Sequence, residues 1–245
     1  MTAGKEPLFP LQNYRIMADL TIREKIEAVT ERIVAAARRA GRDPEEVTVI
    51  AVTKQVEPER IEEALRGGIR DIGENRVQEA QAKLPHLTAA CTRHMIGTLQ
   101  TNKVRRALEL FDVIHSVDRL SLVDALSRRM EGRQVDLLLQ VNVSGEGSKH
   151  GVPPELLEEL ALAASSAGNL RVRGLMTIAP YDPDPEAARP HFAKLRELSE
   201  RLARLEIPRV EMDWLSMGMS NDFEVAVEEG ATHVRIGSAI FGERS

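Results

Sequence analysis

Residues 47–53 read V-T-V-I-A-V-T, Lys54 follows at once, and from Glu57-Pro58-Glu59 to Arg66 the chain becomes charged and amphipathic. A short β-branched run followed by a polar segment of helical period is the signature of a buried strand feeding a helix. Working outward from this unit, the alternation repeats to the C-terminus. Strands are expected at 47–53, 71–74, 94–97, 113–117, 136–142, 172–178, 211–217 and 234–237. Helices follow them, most clearly at 57–66, 99–110, 120–129, 154–165, 185–205 and 222–229, with Gly67-Gly68, Gly132, Gly168 and Gly230 closing several. Eight strand–helix repeats in 245 residues predict one parallel sheet closed into a (β/α)8 TIM barrel. The third and eighth strands are short, which leaves an open doubly wound sheet as the alternative.

Upstream of the first strand an extra helix announces itself. Thr21 and Glu24 have capping-box spacing, Ile22, Ile26, Val29 and Ile33 form an apolar stripe, and Gly41 stands where the helix would end. Residues 1–19, with Gly4, Pro7 and Pro10, have no sustained period and read as a loose leader, within which Met17 offers a second start. The expected organisation is therefore a leader at 1–19 and one barrel domain at 20–245.

Composition narrows the class. Hydrophobic residues make up 42% and charged residues 29%, which suits a water-soluble chain with a sizeable core. The net charge is −5 without a long basic run, so neither nucleic acid nor a membrane is expected as partner. A lone cysteine, Cys91, together with a start that lacks a signal-peptide pattern, points to the cytoplasm. No strong exposed apolar seam is evident, so a monomer is expected. The six histidines show no metal-ligand spacing, and no metal site is expected.

In a barrel of this kind the C-terminal ends of the strands carry the chemistry. Lys54 stands at such an end, where desolvation favours a nucleophilic amine able to condense with an aldehyde. By position alone it is equally the start of a solvated loop. The second signal lies at the other end of the sequence. L-S-M-G-M-S-N-D (215–222) follows the seventh strand and R-I-G-S (235–238) the eighth. Glycines, hydroxyls and free amides after strands seven and eight are where such barrels hold a phosphate. Ser220-Asn221-Asp222 is also a good N-cap for the next helix. Arg235, on the last strand, needs a buried acceptor, either an ion-pair partner or a ring nitrogen of a bound ligand. Trp214, Met217 and Met219 read as packing residues.

These motifs resemble the YggS/PROSC family of small PLP-binding proteins, the pyridoxal phosphate homeostasis proteins. The resemblance rests on A-V-T-K (51–54), G-E-N-R-V-Q-E (73–79), H-M-I-G-T-L-Q-T-N-K (94–103) and S-V-D (116–118). It continues through V-N-V-S-G-E-G-S-K-H-G (141–151), G-L-M-T-I (174–178), L-S-M-G-M-S-N-D-F (215–223) and V-R-I-G-S-A-I-F-G (234–242). It implies a barrel similar to the N-terminal barrel of alanine racemase, with pyridoxal 5′-phosphate (PLP) as a Schiff base on Lys54. Ser216, Ser220, Gly237 and Ser238 would hold the phosphate, and Arg235 would meet the pyridine nitrogen. Asn75 and Met176, with His94 and Ile96 beside them, would line the pocket. Arg93 preceding His94, and Met95, depart from the aromatic residues frequent in the family.

An arginine on the pyridine nitrogen disfavours its protonation and weakens the ring as an electron sink. A racemase also needs acid–base groups on both faces of the substrate carbon. The chain ends at Ser245, which leaves no room for the second domain that supplies the opposing tyrosine in alanine racemase. Only Tyr14, in the leader, and Tyr181, after the sixth strand, are candidates for that role. The expectation is a PLP carrier that serves apo PLP-dependent enzymes. A PLP-dependent amino-acid racemase is the alternative, and a barrel enzyme for another phosphorylated molecule is a third reading. Lys103 and Lys149, both in the shared motifs, are candidates for PLP entry or hand-over, or ordinary solvated lysines.

Overall fold

Eight parallel strands close on themselves in sequence order in the computed structural model, which describes residues 20–129, 135–146 and 150–242. The strands are β1 (Thr48–Val52), β2 (Asp71–Glu74), β3 (Thr92–Met95), β4 (Val113–Val117), β5 (Val135–Gln140), β6 (Leu170–Met176), β7 (Val210–Met219) and β8 (His233–Ile236). Ile50 is in register with Asp71 on one side and with Arg235 on the other, so β1 is the strand that shuts the barrel. The open doubly wound sheet is thereby set aside.

The helices are α1 (Ile22–Arg39), α2 (Pro58–Arg66), α3 (Val77–Lys83), α4 (Val104–Leu110), α5 (Leu120–Ser127), α6 (Leu157–Ser166), α7 (Arg189–Ala203), α8 (Phe223–Glu228) and α9 (Ser238–Phe241). Strand side chains alternate between two faces. Ala51, Ile72, Met95, Ile114 and Leu137 look outward into the continuous core between sheet and helices. Facing inward, Val113, Leu138 and Met176 form a small apolar cluster with Trp214 against it. The remaining interior includes buried polar groups: His94, His115, Ser216 and Arg235.

The extra helix has a structural reason. At four residues, α9 is too short to cover the seam between β8 and β1, and α1 packs against α2, α8 and α9 instead. Its Thr21/Glu24 capping box forms as expected, and Ile22, Ile26, Val29 and Ile33 are buried. Arg39 pairs with Glu228 at 2.7 Å, and Arg42 donates to the Val227 and Ala231 carbonyls.

The strands stand where expected, with ends that shift by up to two residues, as at β5, β6 and β7. Strand β3 begins two residues early, at Thr92, and β8 one residue early, at His233. Helices α4, α6 and α7 are entered through 3-10 turns at Thr101–Lys103, Pro154–Leu156 and Pro185–Ala188, the last capped by Asp184. Helix α3 was not among the clear helices of the sequence, because it offers only Val77 and Ala80 to the core. The leader at 1–19, Gly132, Lys149 and Tyr14 lie outside the described residues.

If α1 is part of the barrel wall, Ile33→Ala should lower unfolding stability by about 2–4 kcal/mol in urea denaturation, as for other buried isoleucines. A loss below about 1 kcal/mol would mean that α1 is not part of the cooperative core.

Candidate functional site

Lys54 is held by what surrounds it. Thr53 extends the ladder one residue past β1, its amide donating to the Gly73 carbonyl at 3.0 Å. Its hydroxyl, fully buried, donates to Glu74 Oε1 at 2.6 Å. On the other side Gln55 adopts a left-handed backbone, φ +56°, with its amide bound to the Glu79 carboxylate. Such a conformation costs a non-glycine residue free energy and persists only where the surroundings enforce it. Lys83 enforces it from below. Its Nζ donates to the Thr53 carbonyl at 2.7 Å and contacts Glu74 at 3.2 Å and Glu79 at 2.5 Å. Position 54 shares the parity of Ile50 and Val52, so the half-buried Lys54 stands at the mouth of the barrel.

The charges beneath this turn are balanced against burial. Desolvation pushes the Glu74 carboxyl above the ordinary range, with Thr53 and Lys83 pulling the other way. Burial opposes ionisation of Glu79 too, but Lys83 and the Gln55 amide outweigh it and hold its pKa low. The motif G-E-N-R-V-Q-E therefore forms the support under Lys54. The signal for it in the sequence was the Glu79/Lys83 spacing of one helical turn.

Across the β1–β8 seam stands the Gly/Ser loop. Gly218 has φ +90°, and a Cβ there would lie 2.5 Å from the Ala226 side chain, so only glycine lets β7 turn onto α8. Asp222 accepts the Met219 amide at 2.6 Å, and burial raises its pKa. Ser220 does not cap α8, as its position had suggested. Its hydroxyl oxygen accepts the amides of Gly237 at 3.2 Å and Ala239 at 3.3 Å, at the start of α9. Ser220, Gly237 and Ser238 are thus brought together, and Asn221 ties the loop to the Asp182 carbonyl.

Arg235 and Ser216 lie deeper. Arg235 is buried, its Nη1 donating to Ser216 Oγ and its Nη2 to the Thr177 carbonyl, both at 2.7 Å. Desolvation lowers its pKa to about 10, while the Asp222 carboxylate opposes the drop. Ser216 Oγ also meets His115 Nδ1 at 3.1 Å, so in this structure its side chain stands with Arg235 and apart from the Ser220 loop. Met176 is fully buried in the inward apolar cluster. Asn75, just past β2, has a buried Oδ1 without a hydrogen-bond partner. Gly97 makes room for it, since a Cβ at 97 would fall 2.3 Å from the Asn75 carbonyl oxygen.

Three other sequence candidates are placed elsewhere. His94 does not reach the mouth; it binds Asp71 and His115 and lines the cavity at the opposite, N-terminal end of the strands. Lys103 sits in an outer groove with Gln78, Gln81 and Arg106. Tyr181 is 79% exposed. Ile96 remains inside the barrel against Gly73.

An amine at the rim after β1, a hydroxyl-and-amide cradle after β8 on one side of it and an unpartnered amide oxygen after β2 on the other suit a ligand with an electrophilic carbon and a phosphate. The alanine racemase N-terminal domain family matches residues 25–245. The pyridoxal phosphate homeostasis protein of Aquifex aeolicus is 46% identical over 224 residues, covering 90% of this chain and 97% of its own. The chain belongs to the pyridoxal phosphate homeostasis protein family. The Escherichia coli K12 member of that family is 41% identical over 229 residues, covering 91% and 97% of the two chains. PipY of Synechococcus elongatus, in its structure with PLP bound, superposes with a TM-score of 0.79 at 37% identity, covering 91% of this chain and all of its own. Alanine racemase of Corynebacterium glutamicum shares the fold alone, at 14% identity and a TM-score of 0.69, covering 89% of this chain and 62% of that one.

The buried cluster makes a pH-dependent prediction. Glu74 has a raised folded pKa, so its contribution to stability is greatest below the ordinary carboxylate pKa and is lost as pH rises through the folded value. Lys83→Met removes the cation that offsets this and should cost about 3–5 kcal/mol near neutral pH, where a carboxylate is left unpaired. The loss should shrink at mildly acidic pH, as Glu74 takes up a proton. Urea denaturation at both pH values checks it, and an equal loss at both would contradict the assignment.

Proposed function

We propose that this chain holds PLP reversibly as a Schiff base on Lys54 and serves PLP homeostasis as a carrier to apo PLP-dependent enzymes. The observation that carries the reading is the adjacency, through the β1–β8 pairing, of Lys54 and the Ser220–Gly237–Ser238 cradle. The PLP-bound state of PipY, at 37% identity, supports the same cofactor. Functional residues fall within a barrel unit at 20–245, acting as a cytoplasmic monomer with residues 1–19 as leader.

Each residue has a task in this reading. Lys54 supplies the amine, and the clamp of Glu74, Glu79 and Lys83 on its neighbours Thr53 and Gln55 fixes where that amine emerges. Ser220, Gly237 and Ser238 bind the phosphate oxygens through hydroxyls and amides, an arrangement that suits a dianion. The Ser220 hydroxyl, now the acceptor of two of those amides, gives them up to the phosphate and donates in turn. Ser216 assists from below through Arg235. Asn75 offers its unpaired Oδ1 to a donor on the ligand, and Met176 forms the apolar floor. PLP bound there would supply an electrophilic aldehyde carbon, and Lys54 would present to it the amine for a reversible linkage.

Arg235 decides between holding and turnover. Its guanidinium stays protonated even with a pKa lowered to about 10, and a cation against the pyridine nitrogen opposes protonation there. That leaves the ring a weak electron sink. The exposure of Tyr181 favours the same reading, since an acid–base group opposite Lys54 needs a fixed position.

Purified chain titrated with PLP should develop a visible absorption band that Lys54→Ala lacks. Incubation of the loaded protein with L-alanine in deuterium oxide should leave the α-proton unexchanged. Exchange at a rate well above that of free PLP would replace the carrier by a racemase-like enzyme, and a wild-type chain without the band would end the PLP reading.

A further inference from the structure

Below the mouth an unbroken line of polar groups runs through the barrel. Asp71 Oδ1 lies 3.0 Å from His94 Nε2, and His94 Nδ1 lies 2.8 Å from His115 Nε2. His115 Nδ1 lies 3.1 Å from Ser216 Oγ, to which Arg235 donates at 2.7 Å. His94, His115 and Ser216 are each no more than 1% exposed. At one end Asp71 faces a cavity of about 560 Å³ at the N-terminal ends of the strands, with Glu46, Thr48, Trp214 and His233 around it. At the other, Ser216 and Arg235 underlie the cofactor site.

Valence fixes the direction of the line. A neutral imidazole donates through one nitrogen and accepts through the other. With Asp71 a carboxylate, His94 must donate through Nε2 and accept at Nδ1. His115 then donates through Nε2, and its Nδ1 takes the Ser216 hydroxyl proton, leaving a Ser216 lone pair for Arg235. Every proton points away from the cofactor site.

We propose that Asp71, His94 and His115 are positioning residues that relay one proton between the cofactor site, at Ser216, and the Asp71–His94 pair at the N-terminal cavity. This rests on the PLP reading above. The step balances. His115 passes its Nε2 proton to His94 Nδ1, Ser216 passes its proton to His115 Nδ1, and Ser216 is reprotonated by an acidic O–H or N–H group of the bound ligand, which is left one proton poorer. One positive charge then rests on His94 beside the Asp71 carboxylate, and the Ser216 hydroxyl points at the mouth as a donor. The reverse sequence returns the proton. The route stays open to water at the N-terminal end when a ligand covers the mouth.

The surrounding charges fit this assignment. His94 faces Asp71, His115 and His233, while His115 faces His94, His233 and Arg235. Desolvation, with the neighbouring His94, His233 and Arg235, drives the His115 pKa far below that of a free imidazole, so His115 passes protons without storing charge. His233 is held at about 4, chiefly by burial. Asp71 is the carboxylate in contact with the line.

The test is nitrogen-15 NMR of labelled histidines in the full chain, paired with the pH response of the PLP absorption band. In wild type, His94 and His115 should both carry the proton on Nε2 at about pH 8, and His115 should switch to Nδ1–H as pH falls. In Asp71→Asn that switch and the midpoint of the absorption band should move together to lower pH, by about one unit or more, as loss of a contacting carboxylate implies. Asp71→Glu should restore both. Since a merely structural role would change melting temperature and leave the coupling intact, the shared midpoint is the deciding readout. A His115 tautomer fixed between about pH 5 and 9, or an Asp71→Asn absorption profile that superposes on wild type, would overturn the relay. A chain that switches tautomers but takes up no PLP would fail the cofactor reading itself, and the relay would lose its destination.

Discussion

The parallel pairing of β1 with β8 is the contact on which the mouth depends. Thr48 aligned with His233 and Ile50 with Arg235 bring the lysine after the first strand beside the glycine and serine after the last. Without that ladder, Lys54 and the Gly/Ser loops are two unrelated features far apart in the sequence. With it, they share one rim. Closure also explains α1, which covers the seam that the short α9 leaves open.

A closed barrel with a polar interior faces an electrostatic constraint, because charge removed from water needs a partner. This chain meets it with two sets of groups. Outside β1 and β2, Lys83 ties Glu74 and Glu79 to the residues on either side of Lys54. Inside the barrel, Arg235 shares Ser216 with His115, and the line continues through His94 to Asp71. The first set fixes the backbone on either side of Lys54, and the second fills the interior beneath the Gly/Ser loop.

Much of this was legible in the sequence. The V-T-V-I-A-V-T run and its repeats pointed to the barrel, and the Gly/Ser clusters after strands seven and eight do meet, with Ser220 against Gly237 and Ala239. Local pattern succeeds there because strand period and glycine chemistry are local properties. It failed where the answer depends on which strand faces which. The run Ser220-Asn221-Asp222 does supply the N-cap of α8, at Asp222, but the Ser220 hydroxyl crosses to α9. His94 sits in one of the motifs that suggested the pocket, yet inside the barrel it pairs with Asp71 and His115 and lines the cavity at the opposite end. Lys83 looked unremarkable because α3 has so small an apolar face, and His115 acquires meaning only when β3, β4 and β7 are placed around it.

The most direct measurement is to load the protein with PLP, reduce it with borohydride and locate the phosphopyridoxyl group by peptide mass spectrometry. This account predicts a single modified peptide carrying the group on Lys54. Modification at Lys83 or Lys103 in its place, or spread over many surface lysines, would contradict it.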